Sequence, residues 1–137
     1  MADYDYIFFD TSPSVGGLQE RAMWISKWVL TPTATEFLSI DGLRQTQGTM
    51  DALKERGWKG KLLGILPTFY DEQTRESQAA IGELRTAFPK TLLSPIHRAT
   101  VLRECAANGR TVFEMYPKSR AAQDYQILAD FVLGRTT

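Results

Sequence analysis

A short apolar run near the amino terminus constrains the fold of this chain more than any other feature. Tyr6-Ile7-Phe8-Phe9 leads directly into Asp10 and the polar turn residues 11–14. Consecutive apolar side chains bounded by a turn predict a buried strand over 4–9, with Asp10 at its carboxyl end. In open α/β sheets ligands bind at this position, because strand ends and helix amino termini meet there. A carboxylate so placed commonly holds Mg²⁺ beside a bound triphosphate, directly or through water.

The loop that would cradle such phosphates is not found in the sequence. No G-x-x-x-x-G-K-[ST] motif occurs in these 137 residues, although that motif supplies the backbone amides and the lysine that bind phosphates. A strand that ends in Asp10, without a phosphate-binding loop, therefore predicts the carboxyl-terminal part of a nucleotide-binding fold. The alternative for Asp10 is a turn or helix-capping carboxylate that follows a strand.

Short apolar runs alternate with longer amphipathic stretches along the rest of the chain. Further strands are predicted over 28–31 and 61–66 and from residue 91. Helices are predicted over 18–26, 36–56, 73–88 and 101–106, and a last helix begins after Ser119, its N-cap, and ends before Gly134. Continuously apolar strands separated by helices predict a three-layer α/β fold, a mostly parallel sheet flanked by helices, in one domain over 1–137. Right-handed crossovers then place the strand ends on one rim.

Composition narrows the class of protein. The chain is 43% hydrophobic and 23% charged, as globular proteins are. Cys105 is its single cysteine, no apolar run suits a membrane helix, and residues 1–5 lack a signal peptide's features. These observations predict a cytoplasmic protein. Acidic and basic residues balance at sixteen each, yet residues 85–120 carry seven Lys and Arg against two Glu, which is a local excess of positive charge.

Several segments, in order, resemble the ParA/Soj branch of the MinD-like deviant-Walker P-loop ATPases. Residues 4–14 resemble the family's Walker B and switch II segment, and 32–43, 64–77 and 104–125 resemble its later strand ends, helices and carboxyl-terminal signature. The resemblance covers the whole chain but only the carboxyl-terminal half to two-thirds of such an ATPase. The family's phosphate loop and switch I would precede Met1. The resemblance implies a partial P-loop NTPase fold.

The resemblance also implies a nucleotide site. Asp10 would help to hold Mg²⁺ through water and sense the γ-phosphate, as the catalytic and metal-binding residue. The switch segment would be Thr11, Ser12 and Pro13, and the adenine pocket would include Thr68, Ile96, His97 and Arg98. Ser12 and His97 each stand where relatives usually have proline. The alternative for His97 is a surface imidazole, since no second His or Cys lies near enough in sequence to form a metal site.

A DNA-binding surface is implied in the same way. Arg75 matches a basic position with which relatives approach DNA phosphates, and Arg98, Arg103, Lys118 and Arg120 would extend this phosphate-binding face by their charge. Lys and Arg neutralise phosphate charge without reading sequence. Val101 departs from the family, because an arginine that contacts DNA is expected there. The alternative for Arg75 is a solvated helix position beside Glu72 and Glu76.

The family implies ATP-dependent segregation of plasmids or chromosomes. ATP and Mg²⁺ are the cofactors of the complete fold, and whether this chain alone binds either is left open. The family further implies a homodimer, non-specific DNA on the nucleoid, and a ParB-like centromere-binding partner. Because catalysis needs the missing phosphate loop, we expect no independent hydrolysis. The alternative is a non-catalytic interaction module that self-associates, binds DNA or modulates a full-length ParA-type protein.

Overall fold

The computed structural model describes residues 3–11, 17–38 and 40–136. Its elements, in chain order, are α1 (Gly17–Ile25), β1 (Trp28–Ala34), α2 (Ile40–Glu55), β2 (Lys61–Thr68), α3 (Arg75–Ala87), α4 (Thr100–Ala107), α5 (Val112–Met115) and α6 (Arg120–Thr136). None of the helices in these ranges is both long and apolar enough to cross a membrane.

The two strands form a parallel pair. Trp28 lies opposite Lys61 and Ala34 opposite Thr68, with an irregularity in the register between Val29 and Leu30. Since α2 connects the two strands, this is a β-α-β crossover of the kind that parallel pairing requires. The predicted α/β class, with parallel strands flanked by helices, is confirmed.

Both strands continue beyond their predicted ends, residues 31 and 66, and through a proline. β1 passes Pro32 and β2 passes Pro67. The Thr35 N–H donates to the Thr68 carbonyl at 3.0 Å, so by alternation Pro32 faces away from β2. No strand in the described ranges lies on that side, and a missing N–H costs nothing at such an edge.

Pro67 explains why the predicted strand from residue 91 forms only in part. This segment meets β2 through isolated parallel bridges, Ile65 with Leu92 and Tyr70 with His97. Between those bridges the Pro67 carbonyl accepts from the Ile96 N–H at 2.9 Å, but proline has no N–H to donate in return. The ladder is therefore interrupted at that residue.

The predicted buried strand over 4–9 is wrong for this structure. Residues 4–9 are not in a strand and their side chains are exposed, Phe8 by 81% and Ile7 by 74%. A strand is stable only when a neighbour pairs its backbone, and none in the described ranges does so. The segment approaches the end of α6, where the hydroxyls of Tyr6 and Thr136 are 3.2 Å apart.

Within the described residues the core consists of three apolar clusters. One joins β2 to α2 and α3 through Leu43, Ile65, Leu84 and Phe88. A second, of Met23, Met50, Leu53 and Trp58, seats α1 against α2, and a third, of Cys105, Val112, Ala121 and Ala122, joins α4, α5 and α6. The helices were predicted except α5, whose four residues are too few to show a periodicity.

Candidate functional site

The carboxyl ends of the strands bring together two of the predicted site segments. Thr68 is the last residue of β2. One residue earlier, the Pro67 carbonyl accepts from the Ile96 N–H at 2.9 Å, and beyond it the Arg98 N–H donates to the Tyr70 carbonyl at 2.9 Å. The predicted adenine-pocket residues, Thr68 and 96–98, therefore lie side by side on this rim, which we call the strand-end rim (residues 35–37, 68–72 and 95–98).

Buried hydroxyl groups tie the strand-end rim to α3. Thr35 is 1% exposed, and its Oγ1 lies 3.2 Å from the Phe69 carbonyl oxygen and 3.1 Å from Ser77 Oγ. Ser77 Oγ in turn accepts from the Asp71 N–H at 3.3 Å. Nothing local in the sequence indicates these contacts, because a threonine or serine after a strand is also an ordinary turn residue.

Phe69 occupies an unusual backbone position on this rim. Its φ is 53°, in the left-handed region that non-glycine residues seldom adopt. Its ring is 52% exposed, so side-chain burial does not compensate for the strain. The hydrogen bonds on both sides, from Thr35 to the Phe69 carbonyl and from Tyr70 to Ile96, hold the backbone in this turn.

His97 lies in a network of charged side chains. Its backbone N–H and its Nδ1 both lie 2.9 Å from Asp124 Oδ2, and its Nε2 lies 2.8 Å from Arg120 Nη2. Arg120 also forms a bidentate ion pair with Glu72, at 3.0 and 3.2 Å. Because both ring nitrogens are engaged, the His97 ring offers no free polar atom to a base in this arrangement.

The ion pair between Arg120 and Glu72 shifts the pKa values of both side chains. The Arg120 guanidinium, through its hydrogen bonds and its charge, lowers the pKa of Glu72 below its usual value of 4.5. The same hydrogen bonds raise the pKa of Arg120. Both groups are therefore charged throughout the physiological range.

Two of the five predicted DNA-contacting cations are engaged within the protein. Arg98 pairs with Glu36 across the strand-end rim, and Arg120 pairs with Glu72. Arg75, Arg103 and Lys118 are exposed and form no ion pair with a described residue. Of the five predicted cations, these three are therefore the ones free to meet phosphate.

Asp10 lies on the exposed amino-terminal segment and not at the end of a strand. It makes no hydrogen bond or ion pair with any described residue, and Thr11 beside it is half-buried. Ser12 and Pro13 lie outside the described residues. No group of three His, Cys, Asp or Glu suited to a metal occurs in 3–11, 17–38 or 40–136. A single free carboxylate fits Mg²⁺ only with waters and phosphate oxygens as the remaining ligands.

Two surface depressions lie elsewhere on the protein. One of about 460 Å³ lies between α1 and α2, lined in part by Glu20, Thr49 and Arg56. The other, of about 610 Å³, lies between α2 and α3 beside Arg44 and Glu83. Neither depression is lined by a predicted site residue.

Comparison with known proteins identifies the family. A family model described as "AAA domain" matches residues 1–63. The chromosome partitioning protein ParA of Myxococcus xanthus is 32% identical over 99% of this chain, and the match spans 49% of that protein. The chromosome-partitioning ATPase Soj of Thermus thermophilus is 30% identical over 96% of the chain, spanning 54% of its own length. The chain belongs to the ParA family.

This ParA-family chain spans about half the length of the curated relatives that it matches. A relative named for another role is equally similar, since the cell division protein PomZ of M. xanthus is 30% identical over 98% of the chain and the match spans 43% of PomZ. Overall sequence similarity therefore shows the family of the chain but does not distinguish a role in chromosome partitioning from one in cell division.

Solved structures agree with the fold. Apo McdA from Cyanothece superposes with a TM-score of 0.70 at 14% identity, covering 81% of this chain and 46% of that one. A cobyrinic acid a,c-diamide synthase from Mycobacterium smegmatis, with bound ADP and magnesium, gives a TM-score of 0.67 at 27% identity, covering 88% and 43%. The α/β arrangement of this ParA-family chain is thus part of a P-loop NTPase fold.

Proposed function

We propose that this chain serves as the carboxyl-terminal part of a ParA-type partitioning ATPase. The observation that carries the proposal is the match to partitioning proteins over 99% and 96% of the chain. The strand-end rim supports it, because ligands of parallel α/β folds bind beyond the carboxyl ends of the strands. The whole of 1–137 forms one α/β domain in this proposal.

The proposed nucleotide site uses the residues predicted from the family. Asp10 holds Mg²⁺ through water, Thr11, Ser12 and Pro13 form the adjoining switch segment, and Thr68 with Ile96, His97 and Arg98 borders the adenine. Bound Mg²⁺ supplies charge neutralisation for the phosphates. The free state of the Asp10 carboxylate suits this role, since it has no described partner from which it must be released.

The proposed partners are non-specific DNA on the nucleoid, a second copy of the protein and a ParB-like centromere-binding protein. For DNA, the ion pairs argue for a smaller surface than the sequence suggested. Arg75, Arg103 and Lys118 contact phosphates, while Arg98 and Arg120 remain with Glu36 and Glu72. Such contacts provide affinity without sequence preference.

We further propose that the 137-residue chain does not hydrolyse ATP by itself. Phosphoryl transfer depends on groups that stabilise the transferred charge, and the sequence has no phosphate loop to provide them. The test is phosphate release by the purified chain with Mg²⁺-ATP and DNA, beside an Asp10→Ala control. We expect equal, background rates, and turnover that exceeds the Asp10→Ala rate would overturn this proposal.

A second candidate function is a non-catalytic module that self-associates. Two features of the described residues favour it: Ile7 and Phe8 are 74% and 81% exposed, and β1 has a strand neighbour on only one side. An exposed apolar segment and an open strand edge in one molecule favour reciprocal pairing between two copies. DNA binding, or capture of a full-length ParA-type protein, would be further activities of such a module.

Sizing by light scattering tests this second candidate. We expect a concentration-dependent dimer that becomes monomeric when Phe8→Lys places a charge within the apolar segment. Phe37→Lys is the matched control, because Phe37 is exposed by 86% but lies outside that segment. A monomer at all concentrations would exclude pairing through this edge.

A further inference from the structure

His97 is the only histidine of the chain, and its side chain is 16% exposed. It is enclosed by groups from α6 and from the segment after β2. The charged and titratable groups that face it are Asp124 and Arg120 on α6, and Glu72 and Tyr70 after β2. The centres of the Tyr70 and His97 rings are 5.1 Å apart. On its own segment, the neighbouring Arg98 is engaged by Glu36.

The donors and acceptors around the ring determine where its proton lies. A guanidinium nitrogen can only donate, so the 2.8 Å contact from Arg120 Nη2 requires an unprotonated Nε2. An ionised carboxylate can only accept, so the 2.9 Å contact with Asp124 Oδ2 places the proton on Nδ1. The arrangement therefore contains a neutral imidazole in the Nδ1–H form.

A second proton would bind at Nε2 and turn that acceptor into a donor. Two donors, each on a positively charged group, cannot keep a 2.8 Å contact. The Asp124 contacts survive, because Nδ1 and the His97 backbone N–H are donors in both forms. Arg120 also keeps Glu72, with which it forms two hydrogen bonds.

We propose that the contact between His97 Nε2 and Arg120 is a proton-controlled latch, which can open while Asp124 keeps α6 attached to the segment 95–98. Neutral His97 is held by both Arg120 and Asp124, and protonated His97 releases Arg120 while Asp124 retains it. The latch opens when the ring takes up its second proton, because that proton binds at Nε2, the atom that faces Arg120. The proposal stands on this geometry alone and does not depend on the proposed ATPase role.

Nuclear magnetic resonance of the full chain tests the latch, with the ring nitrogens of His97 observed from pH 8 to pH 5. Glu72 stays charged in this range, because Arg120 lowers its pKa below 4.5, and the chain has no other imidazole. At pH 8 we expect a protonated Nδ1 and an unprotonated Nε2. The side-chain signals of Arg120 should then shift together with the titration of His97.

Two variants separate a latch from a purely structural contact. Arg120→Met keeps an aliphatic side chain but removes the cation that faces Nε2, so the titration midpoint of His97 should move to higher pH. Glu72→Gln removes a nearby carboxylate and should move the midpoint to lower pH. Arg75→Met, which removes an arginine without a contact to His97, should leave it unchanged. A protonated Nε2 at pH 8, or an Arg120→Met midpoint equal to that of the unaltered protein, would overturn the proposal.

Discussion

At the scale of single residues, buried polar groups define the strand-end rim more than apolar ones do. Thr35 and Ser77 are the buried polar residues of the described chain, and their hydroxyls link the ends of both strands to α3. Burying a hydroxyl is favourable only when it is hydrogen-bonded. The position of the rim therefore depends on two small side chains.

Replacing Thr35 with valine should destabilise the fold. The substitution keeps the shape but leaves the Phe69 carbonyl and the Ser77 hydroxyl without the Thr35 partner, and we expect a loss of about 1–3 kcal/mol in the free energy of unfolding. Urea denaturation measures it. Thr49→Val is the control, because the Thr49 hydroxyl donates to the Gln45 carbonyl at an exposed site. Loss of that hydrogen bond should change the free energy of unfolding by less than about 0.5 kcal/mol. Equal effects of the two substitutions would contradict a structural role for the Thr35 hydroxyl.

A second prediction for single residues concerns the salt dependence of DNA binding by a paired and an unpaired arginine. Arg75→Gln and Arg98→Gln change the net charge equally, but only Arg98 is paired, with Glu36. If Arg75 contacts phosphate, its loss should reduce the slope of log affinity against log salt by about 1 for non-specific DNA. Arg98→Gln should leave the slope unchanged. Fluorescence anisotropy with labelled duplex measures both, and equal slopes for the two variants would rule out the surface proposed here.

At the scale of elements, α6 is held to the strand-end rim by charge. Ser119 lies just before the helix and caps it, its Oγ accepting from the Ala122 N–H at 3.2 Å. Arg120 and Asp124, on its first turns, then reach Glu72 and His97. The attachment of the helix amino terminus is thus polar, while Ala121 and Ala122 pack in the apolar cluster with Cys105 and Val112.

The Arg120–Glu72 pair predicts an acid-sensitive contribution to stability. The folded-state pKa of Glu72 is lowered, so the pair stabilises the protein above the unfolded value of 4.5 and is lost as the pH falls through the lower, folded value. The difference in urea midpoint between the unaltered protein and Glu72→Gln should therefore be present at pH 6 and shrink towards pH 3. Glu83→Gln, at an unpaired exposed position on α3, is the control. A difference that grows on acidification would contradict this assignment.

Local patterns predicted the helices well and the strand contacts poorly. Leu43, Met50 and Leu53 repeat at helical spacing and are buried on α2, because an amphipathic helix depends on its own periodicity. The contacts of His97 with Asp124 join residues 27 positions apart, and nothing local in the sequence indicates such pairs. The candidate site was therefore predicted as segments, whereas the ion pairs that engage Arg98 and Arg120 were not.

At the scale of the whole molecule, strand formation depends on neighbours. Residues 4–9 have the composition of a buried strand but lie exposed, since no described strand pairs with them. The ParA-family relatives are about twice as long as this chain. The same six residues would become a strand if a neighbouring strand from the rest of such a fold were supplied.

Hydrolysis of ATP by a hybrid protein tests the proposed role most directly. The part of T. thermophilus Soj that lies outside its match to this chain is joined ahead of Met1, and folding is checked by circular dichroism. We predict Mg²⁺-dependent ATP hydrolysis by the hybrid, background rates from its Asp10→Asn variant, and background rates from the chain alone. A folded hybrid that hydrolyses ATP no faster than its Asp10→Asn variant would contradict the proposal that this chain carries the carboxyl-terminal part of a ParA-type ATPase.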